Sequence, residues 1–470
     1  MINKIIKNIL IMAGLMSCLL ISTAHAANWL MLQGTEPGGS AERAKVWGFI
    51  QPEYQSTDGT KIQAGPWAGQ NAIFNVMRPD LKSKEGFNNL RARLGVRGIG
   101  MPLDSDVNYF LLAEFGNNGI TRGSGGNVMV TDASVTLNQI KGARIRVGTF
   151  KTPGSEEGLQ AIHVFDYINF TNATNGLLLE RFFNGDGSGT FAVPVAGAGT
   201  ASNTGDANKP NGPVGAFRDT GIQVFDTFKM GEWEHSYAVM IGNGNGITRG
   251  DNDENKETYI YWSSELVYGG EGARRQGLKL YAWNQDGKRT LTTEGAGEYD
   301  RTRTGIGSTF KKGKYRAAFE YMTADGMIFN GTDGGSVAGA VGAAPRGKFV
   351  GNPGDCGVGP ATCPITASFN METKGEADGM YLHGGYAITP ALELDVRYDI
   401  YNRMTDVAAK ERTFETLTLG AQYFFNKKSR FIFNYEMRDA EAPNLPGTHN
   451  ANLILDGMDD RMSAQLLVIF

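Results

Sequence analysis

The chain ends on Arg461 to Phe470, RMSAQLLVIF, a segment that alternates in character and stops on an aromatic residue. Met462, Ala464, Leu466, Val468 and Phe470 fall on one face, while Arg461, Ser463 and Gln465 share the other with Leu467 and Ile469. Such a segment reads as a strand that crosses a membrane, for which about 9 to 11 tilted residues suffice. With no chain beyond it, the last strand is free to pair with the first. Closure into a barrel is then required, because hydrocarbon offers no partner to the N–H and C=O groups of an open sheet edge.

The other end agrees. Lys4 and Lys7 precede the apolar run from Ile9 to Ile21, and Ala24-His25-Ala26 supplies small residues at both positions read by a signal peptidase, so residues 1–26 read as a signal peptide cleaved after Ala26. That run is too short to span as a helix, and no later segment approaches the roughly 20 apolar residues required. Leu15-Met16-Ser17-Cys18 is a poor lipoprotein signal, since Met16 replaces the usual small residue and apolar sequence continues past Cys18. Residues 1–26 hold two of the 45 basic residues and none of the 49 acidic ones, leaving 43 against 49 and a net charge of −6. That balance implies no basic surface for nucleic acid. Cys356 and Cys363 remain, with six residues between them in the stretch GDCGVGPATCPIT. In an oxidising compartment an isolated pair reads as a disulfide clipping a loop. A metal site would need further ligands, and no histidine lies nearby.

Alternation bounded by turn residues predicts sixteen strands, beginning near Lys45, Phe87, Val107, Val128, Ala143, Arg218, Trp233, Glu257, Gln276, Arg301, Lys314, Ala377, Ala391, Arg412, Ser429 and Asp460. The short connections all follow even-numbered strands. Long ones follow odd-numbered strands and include Lys151 to Phe217 and Ile328 to Lys374, rich in Gly, Asn, Asp and Pro. This sorting predicts an all-β, 16-stranded antiparallel transmembrane barrel over residues 45–470, with short periplasmic turns and long extracellular loops. Residues 27–44 are then a periplasmic N-terminal segment. Strand faces fit lipid outside and water inside: Leu392, Leu394, Val396, Tyr398 and Ile400 alternate with Glu393, Asp395, Arg397, Asp399 and Tyr401. A soluble sandwich would also alternate, but its charged face would look outward and its connections would not sort by length.

A terminal Phe preceded by alternate apolar residues also resembles the signal by which outer-membrane barrels are recognised for insertion. Four further segments resemble the family of phosphate-selective porins O and P, in the family's order and spacing: Leu90 to Gly98 (LRARLGVRG), Arg146 to Pro153 (RVGTFKTP), Arg218 to Gln223 (RDTGIQ) and Ile241 to Gly246 (IGNGNG). The similarity covers roughly the mature chain. It implies a Gram-negative outer-membrane homotrimer of 16-stranded barrels, each with its own pore narrowed by an inward-folded third loop, here Lys151 to Phe217. Phosphate selectivity does not carry over with it, because such selectivity rests on a dense run of inward basic residues and the mature chain is net acidic.

Parity singles out the candidate pore-lining groups. Arg91, Arg93 and Arg97 oppose Leu90, Ala92, Leu94 and Val96 on the second strand; Arg144 and Arg146 oppose Ile145 and Val147 on the fifth. Arginine suits a selectivity role because it stays charged and offers a planar fork to carboxylate or phosphate. Against this strip stand Glu114, Asp132, Glu393, Asp395 and Asp399 on the walls, and Glu156, Glu157, Asp166 and Glu180 in the third loop. Segregated charge would set a transverse field across the constriction and tune flow without tight binding. The plainer alternative is that these groups pair to hold wall and loop together. Lys151, at the root of the loop, reads as solvated.

Enzymatic readings find little support. His163, His235, His383 and His449 are the mature histidines, and no pattern marks a nucleophile beside His383 on the twelfth strand. Asp251, Asp253 and Glu254 read as a solvated acidic turn in preference to a calcium loop. No Gly-rich segment follows a strand and opens a helix, and no Cys-x-x-Cys-His motif is present, so no nucleotide site, haem attachment or other cofactor is indicated. The sequence thus predicts a water-filled channel for passive diffusion of small hydrophilic solutes and ions through outer-membrane lipid. An anion-specific channel for phosphate or a related oxyanion is the alternative, and a barrel serving as sheath or docking partner for other proteins is a third.

Overall fold

Alternation between a lipid face and a water face builds the wall strand by strand. The computed structural model describes residues 29–32, 43–59, 63, 85–100, 106–118, 128–179, 189–191, 215–247, 250–270, 275–291, 297–329, 365–367 and 371–470. Its barrel strands are β1 (Lys45–Gly59), β2 (Glu85–Ile99), β3 (Val107–Glu114), β4 (Met129–Leu137), β5 (Arg144–Lys151), β6 (Arg218–Met230), β7 (Trp233–Gly242), β8 (Glu257–Gly269), β9 (Gln276–Leu291), β10 (Gly297–Lys312), β11 (Tyr315–Asp325), β12 (Glu376–Ala387), β13 (Leu392–Arg403), β14 (Arg412–Asn426), β15 (Ser429–Glu441) and β16 (Met458–Ile469). Neighbours in sequence are neighbours in the sheet, and β16 returns to β1 to close the barrel. All sixteen strands start within four residues of the positions predicted from alternation.

The seam shows why the last residues have the character they do. Phe49 pairs with Ile469 and Ile50 with Val468, antiparallel. Gly48 N–H donates to Phe470 O at 3.1 Å, and Phe470 N–H donates back to Gly48 O at 2.9 Å. The Phe470 ring lies over Gly48 so closely that a Cβ there would meet the ring at 2.5 Å. Pro52, which has no N–H to give a ladder, stands where the β1–β2 register shifts.

Outside, Leu94, Val147, Ile241, Ile306, Leu382 and Leu419 are exposed on six different strands. A continuous apolar belt of this kind is a liability in water and the normal surface in lipid. At the end carrying the short turns, Tyr315 and Tyr386 lie 5.2 Å apart, as do Tyr423 and Phe425. Lys314 sits over the Tyr386 ring, 5.8 Å from its centre. Aromatics with cationic neighbours mark the level of the headgroups. No helix among the described residues is long and apolar enough to cross a membrane.

Two differences from the sequence reading concern connections. The link after β9 is not a long loop: the ladder runs out to Leu291 opposite Gly297, leaving only residues 292–296 to turn. And part of the N-terminal segment forms α1 (Trp29–Leu32), of which Trp29, Leu30 and Met31 are buried inside the barrel. Two small pairings join loops to one another, Gly189–Phe191 of the third loop with Ile365–Ala367, and Ile328–Phe329 with Met371–Glu372.

Candidate functional site

The third loop turns inward at the end of β5 over residues 152–179. Lys151 Nζ, which the sequence reading left solvated, instead donates to the carbonyls of Gly158 (2.8 Å), Leu159 (3.4 Å) and Gln160 (2.6 Å). These lie at the C-terminal end of α2 (Glu156–Leu159), where free carbonyls favour a cation. Ser155 caps the other end, accepting from Gly158 N–H. The loop then crosses to the far wall. Ile168 N–H donates to Asn434 Oδ1 at 2.8 Å, Asn169 Nδ2 to Glu436 Oε2 at 2.8 Å, and Asn172 N–H to Asp399 Oδ1 at 2.8 Å. A second turn, α3 (Asn172–Leu177), is capped by Thr171, and its last carbonyl accepts from Arg303 Nε at 3.1 Å. Ile162, Phe165, Phe170 and Leu179 pack on Phe49 and Leu467. The apolar pair Leu467 and Ile469 on the otherwise polar face of β16 thus has its reason, since they look onto this loop.

The loop's carboxylates clamp it to three strands. Glu156 pairs with Lys279 of β9, Glu157 with Arg397 of β13 at 3.3 Å, and Asp166 with Arg316 of β11 at 3.0 Å. Arg316 also binds Glu393 at 2.8 Å and Asp395. Asp399 lies 3.8 Å from Arg397. On the opposite wall, Arg93 pairs with Glu114 at 2.7 Å and Arg144 with Asp226 at 3.4 Å. Arg91 donates to Gln51 and lies near the Phe170 ring; Arg97 lies 6.0 Å from the centre of Phe110. Arg146 is fully buried 4.4 Å from the centre of Phe225 and donates to Thr136 Oγ1 at 3.3 Å. The expected segregation of basic from acidic wall is therefore replaced by interleaving. A buried charge is tolerated only beside partners, and most of these carboxylates have a base beside them, while Glu320 is held instead by Trp283 Nε1 and Tyr381 Oη.

Several groups on the same lumen faces went unnamed in the sequence reading. Arg289 and Arg301 both grip Glu257. Arg275 bridges Glu234 and Glu265. Arg303 donates to the carbonyls of Gly326 and Met327 as well as Leu177, and Arg412 to those of Ala409 and Glu411. The parity rule that found Arg91 would have found Arg289, Arg301, Arg303 and Arg412, whereas Arg275 precedes β9 and lies outside its alternation. Beneath the loop lies a cavity of about 120 Å³ bordered by Arg275, Lys279, Arg316, Arg397, Asp166 and His383. The histidines have structural surroundings: His163 packs against Phe49 and Trp47, and its burial, with Arg430 and Lys151 adding to it, pushes the imidazole down to about 3. His383 edges onto Tyr167, and His449 Nδ1 accepts from Ala451 N–H. Among the described residues no cluster of metal-ligating side chains occurs. Cys356, Cys363 and Glu180 lie outside the described residues.

Closed 16-stranded wall, lipid-facing belt and inward-folded third loop together define a porin-type transmembrane barrel fold. OmpF of Salmonella typhi, in complex with daunomycin, shares this fold with a TM-score of 0.51 at 13% identity, over 91% of this chain and 97% of that one. Also similar are an anion-selective porin from Comamonas acidovorans (TM-score 0.49, 13% identity, 92% and 100% covered) and the outer-membrane channel DcaP of Acinetobacter baumannii (TM-score 0.48, 13% identity, 93% and 100% covered). At such identities the likeness is one of fold. No family model and no curated protein sequence matches the chain.

Proposed function

We propose that this protein is a passive channel through which small hydrophilic solutes and ions cross the outer membrane down their gradients, and that it does no chemistry on them. The carrying observation is a closed barrel with an apolar belt outside and charged, hydrogen-bonded side chains inside, partly occluded by a loop clamped across it. In this reading Arg91, Arg93, Arg97, Arg144 and Arg146 with Glu156, Glu157, Asp166, Glu393, Asp395 and Asp399 line the path and tune which ions pass. Among the described buried residues, fourteen arginines and one lysine stand against fifteen carboxylates. That balance favours weak selectivity. Residues 1–26 as a cleaved signal, a Cys356–Cys363 disulfide in the loop after β11, and assembly as a homotrimer complete the proposal; the trimer rests on the resemblance to porins O and P.

One observation favours the anion-specific reading. Arg303, Arg403 and Arg412 are buried toward the outer ends of β10, β13 and β14, where Arg303 and Arg412 donate to carbonyls. A planar-bilayer measurement decides between the two. Large conductance, a reversal potential near zero across a potassium chloride gradient and indifference to millimolar phosphate support the general channel. Strong anion preference with phosphate block supports the other, and absence of conductance removes both and leaves the docking sheath.

A further inference from the structure

The lipid face of β6, β7 and β8 carries a polar constellation that a channel does not use. Phe228 of β6 is the register partner of His235 of β7, and His235 that of Ser264 of β8. Register partners share a face of the sheet, and Ser264 in turn opposes Leu280, an exposed member of the apolar belt, so the imidazole points out of the barrel. Its centre lies 5.3 Å from that of the Phe228 ring and 5.7 Å from that of Trp262, and those two rings are 5.9 Å apart. His235 Nδ1 is 2.9 Å from Ser264 Oγ, and Trp262 Nε1 donates to the same oxygen at 3.1 Å. An indole nitrogen only donates, so Ser264 Oγ accepts there and gives its own hydrogen to Nδ1. The opposite assignment would leave the hydroxyl hydrogen without an acceptor among the described residues. The proton of the neutral imidazole is thus on Nε2, and no described residue accepts from it.

We infer that His235, Ser264, Trp262 and Phe228 form a binding site for a glycerophospholipid of the leaflet at the short-turn end, whose phosphate accepts from His235 Nε2. Conduction plays no part in it. His235 stands two residues from Trp233 at the β6–β7 turn, about 7 Å along the strand. Bilayer headgroups give way to hydrocarbon near that depth, and Trp262, exposed and amphipathic, favours the same level. In the next row from the turn, Tyr237 opposes Trp262, and its hydroxyl donates to the Gly142 carbonyl of the β4–β5 turn. That turn therefore ends on the same outer surface, where its exposed Lys141 adds a positive charge. Beyond Trp262, Val239 and Ile260 oppose each other and are exposed, a bed for an acyl chain. A donor left unmet against lipid costs free energy, and the three clustered rings shut water from one side of the imidazole. A phosphate held at this level by its own chains meets the N–H without leaving its leaflet, and its charge makes it a stronger acceptor than an ester carbonyl.

Native mass spectrometry of the folded protein in detergent, with phosphatidylethanolamine added in steps, reads the affinity, and heat-modifiable gel migration verifies that each variant is folded. His235→Phe keeps a ring and removes the donor; it is expected to weaken lipid retention about tenfold, the effect of losing one hydrogen bond to a charged acceptor. His235→Gln returns an N–H of similar reach and should restore most of the loss, with Ser264→Ala, which releases the tautomer, in between. Diacylglycerol with the same chains, lacking the phosphate, should bind the parent no better than it binds His235→Phe. Equal phospholipid retention by parent and folded His235→Phe overturns the site, as does equal binding of diacylglycerol and phospholipid to the parent. Displacement of the lipid by millimolar inorganic phosphate would make this a site for free anions and overturns the lipid assignment. Should His235→Phe fail to fold, Ser264→Ala decides, and retention equal to the parent's overturns the site.

Discussion

Arg397 Nη1 lies 3.3 Å from Glu157 and 3.1 Å from the Asn169 carbonyl, so one guanidinium holds the third loop at two points. Both charged partners are buried. Deleting the cation strands a carboxylate in a site built to have it paired, a change that costs about 3 to 5 kcal/mol when a buried pair is broken from one side. Arg397→Leu is therefore expected to loosen the loop, giving larger and noisier single-channel currents, with Arg397→Lys in between because it keeps the charge but not the fork. Quiet, wild-type traces from the Leu variant would refute the clamp. Gly48 makes a different kind of contact. With the Phe470 ring pressed on its Cα face, Gly48→Val has no space for its branch, and the yield of heat-modifiable folded barrel should fall, less so for Gly48→Ala. Alternation told which of these residues face inward, since parity is fixed by the backbone. It could not tell that Glu157 meets Arg397, because nothing local links positions 240 apart.

At the level of elements, strands and loop were legible to very different degrees. A strand between lipid and water has its side-chain period imposed from both sides, so Leu394 and Val396 against Asp395 and Arg397 announce it without any knowledge of neighbours. The interior path of the third loop depends instead on contacts with β9, β11, β13 and β15, none adjacent in sequence. Even the resemblance to porins O and P implied only that the loop turns in. Lys151 is the instructive error, since a lysine after a strand usually meets water, and here three carbonyls of the loop fold back to meet it. Replacing it with Met removes hydrogen bonds from a charged donor, each worth about 1.5 to 3 kcal/mol. Lys151→Met should make the loop cleavable by added protease in proteoliposomes while the far-ultraviolet circular dichroism of the barrel stays unchanged; resistance equal to the parent's would show that the packing of Ile162, Phe165 and Phe170 holds the loop alone. The Trp-Leu-Met-Leu of residues 29–32 was also a visible signal, an apolar run in a segment expected to lie in water.

For the molecule as a whole, net charge is a poor guide to ion flow, because selectivity responds to charge within a Debye length of the path and not to charge at a distance. The chain is acidic, with 45 basic against 49 acidic residues, yet buried bases and acids among the described residues balance, and the excess of carboxylates must lie elsewhere. Position then matters more than sum. Arg403 and Arg412 are direct partners across β13 and β14, so two buried guanidiniums stand side by side near the outer mouth. Arg412 is held by the carbonyls of Ala409 and Glu411, in the short connection it follows, and its loss leaves the third loop's clamps untouched. Arg412→Gln should accordingly move the reversal potential toward cation preference without changing loop noise. The shift should be clear at about 0.1 M salt, where the Debye length is about 10 Å, and nearly absent at about 1 M, where it is about 3 Å. A shift that persists at high salt would mean the change acts through pore shape and not through charge, and no shift at either salt would place the ion path away from this part of the mouth.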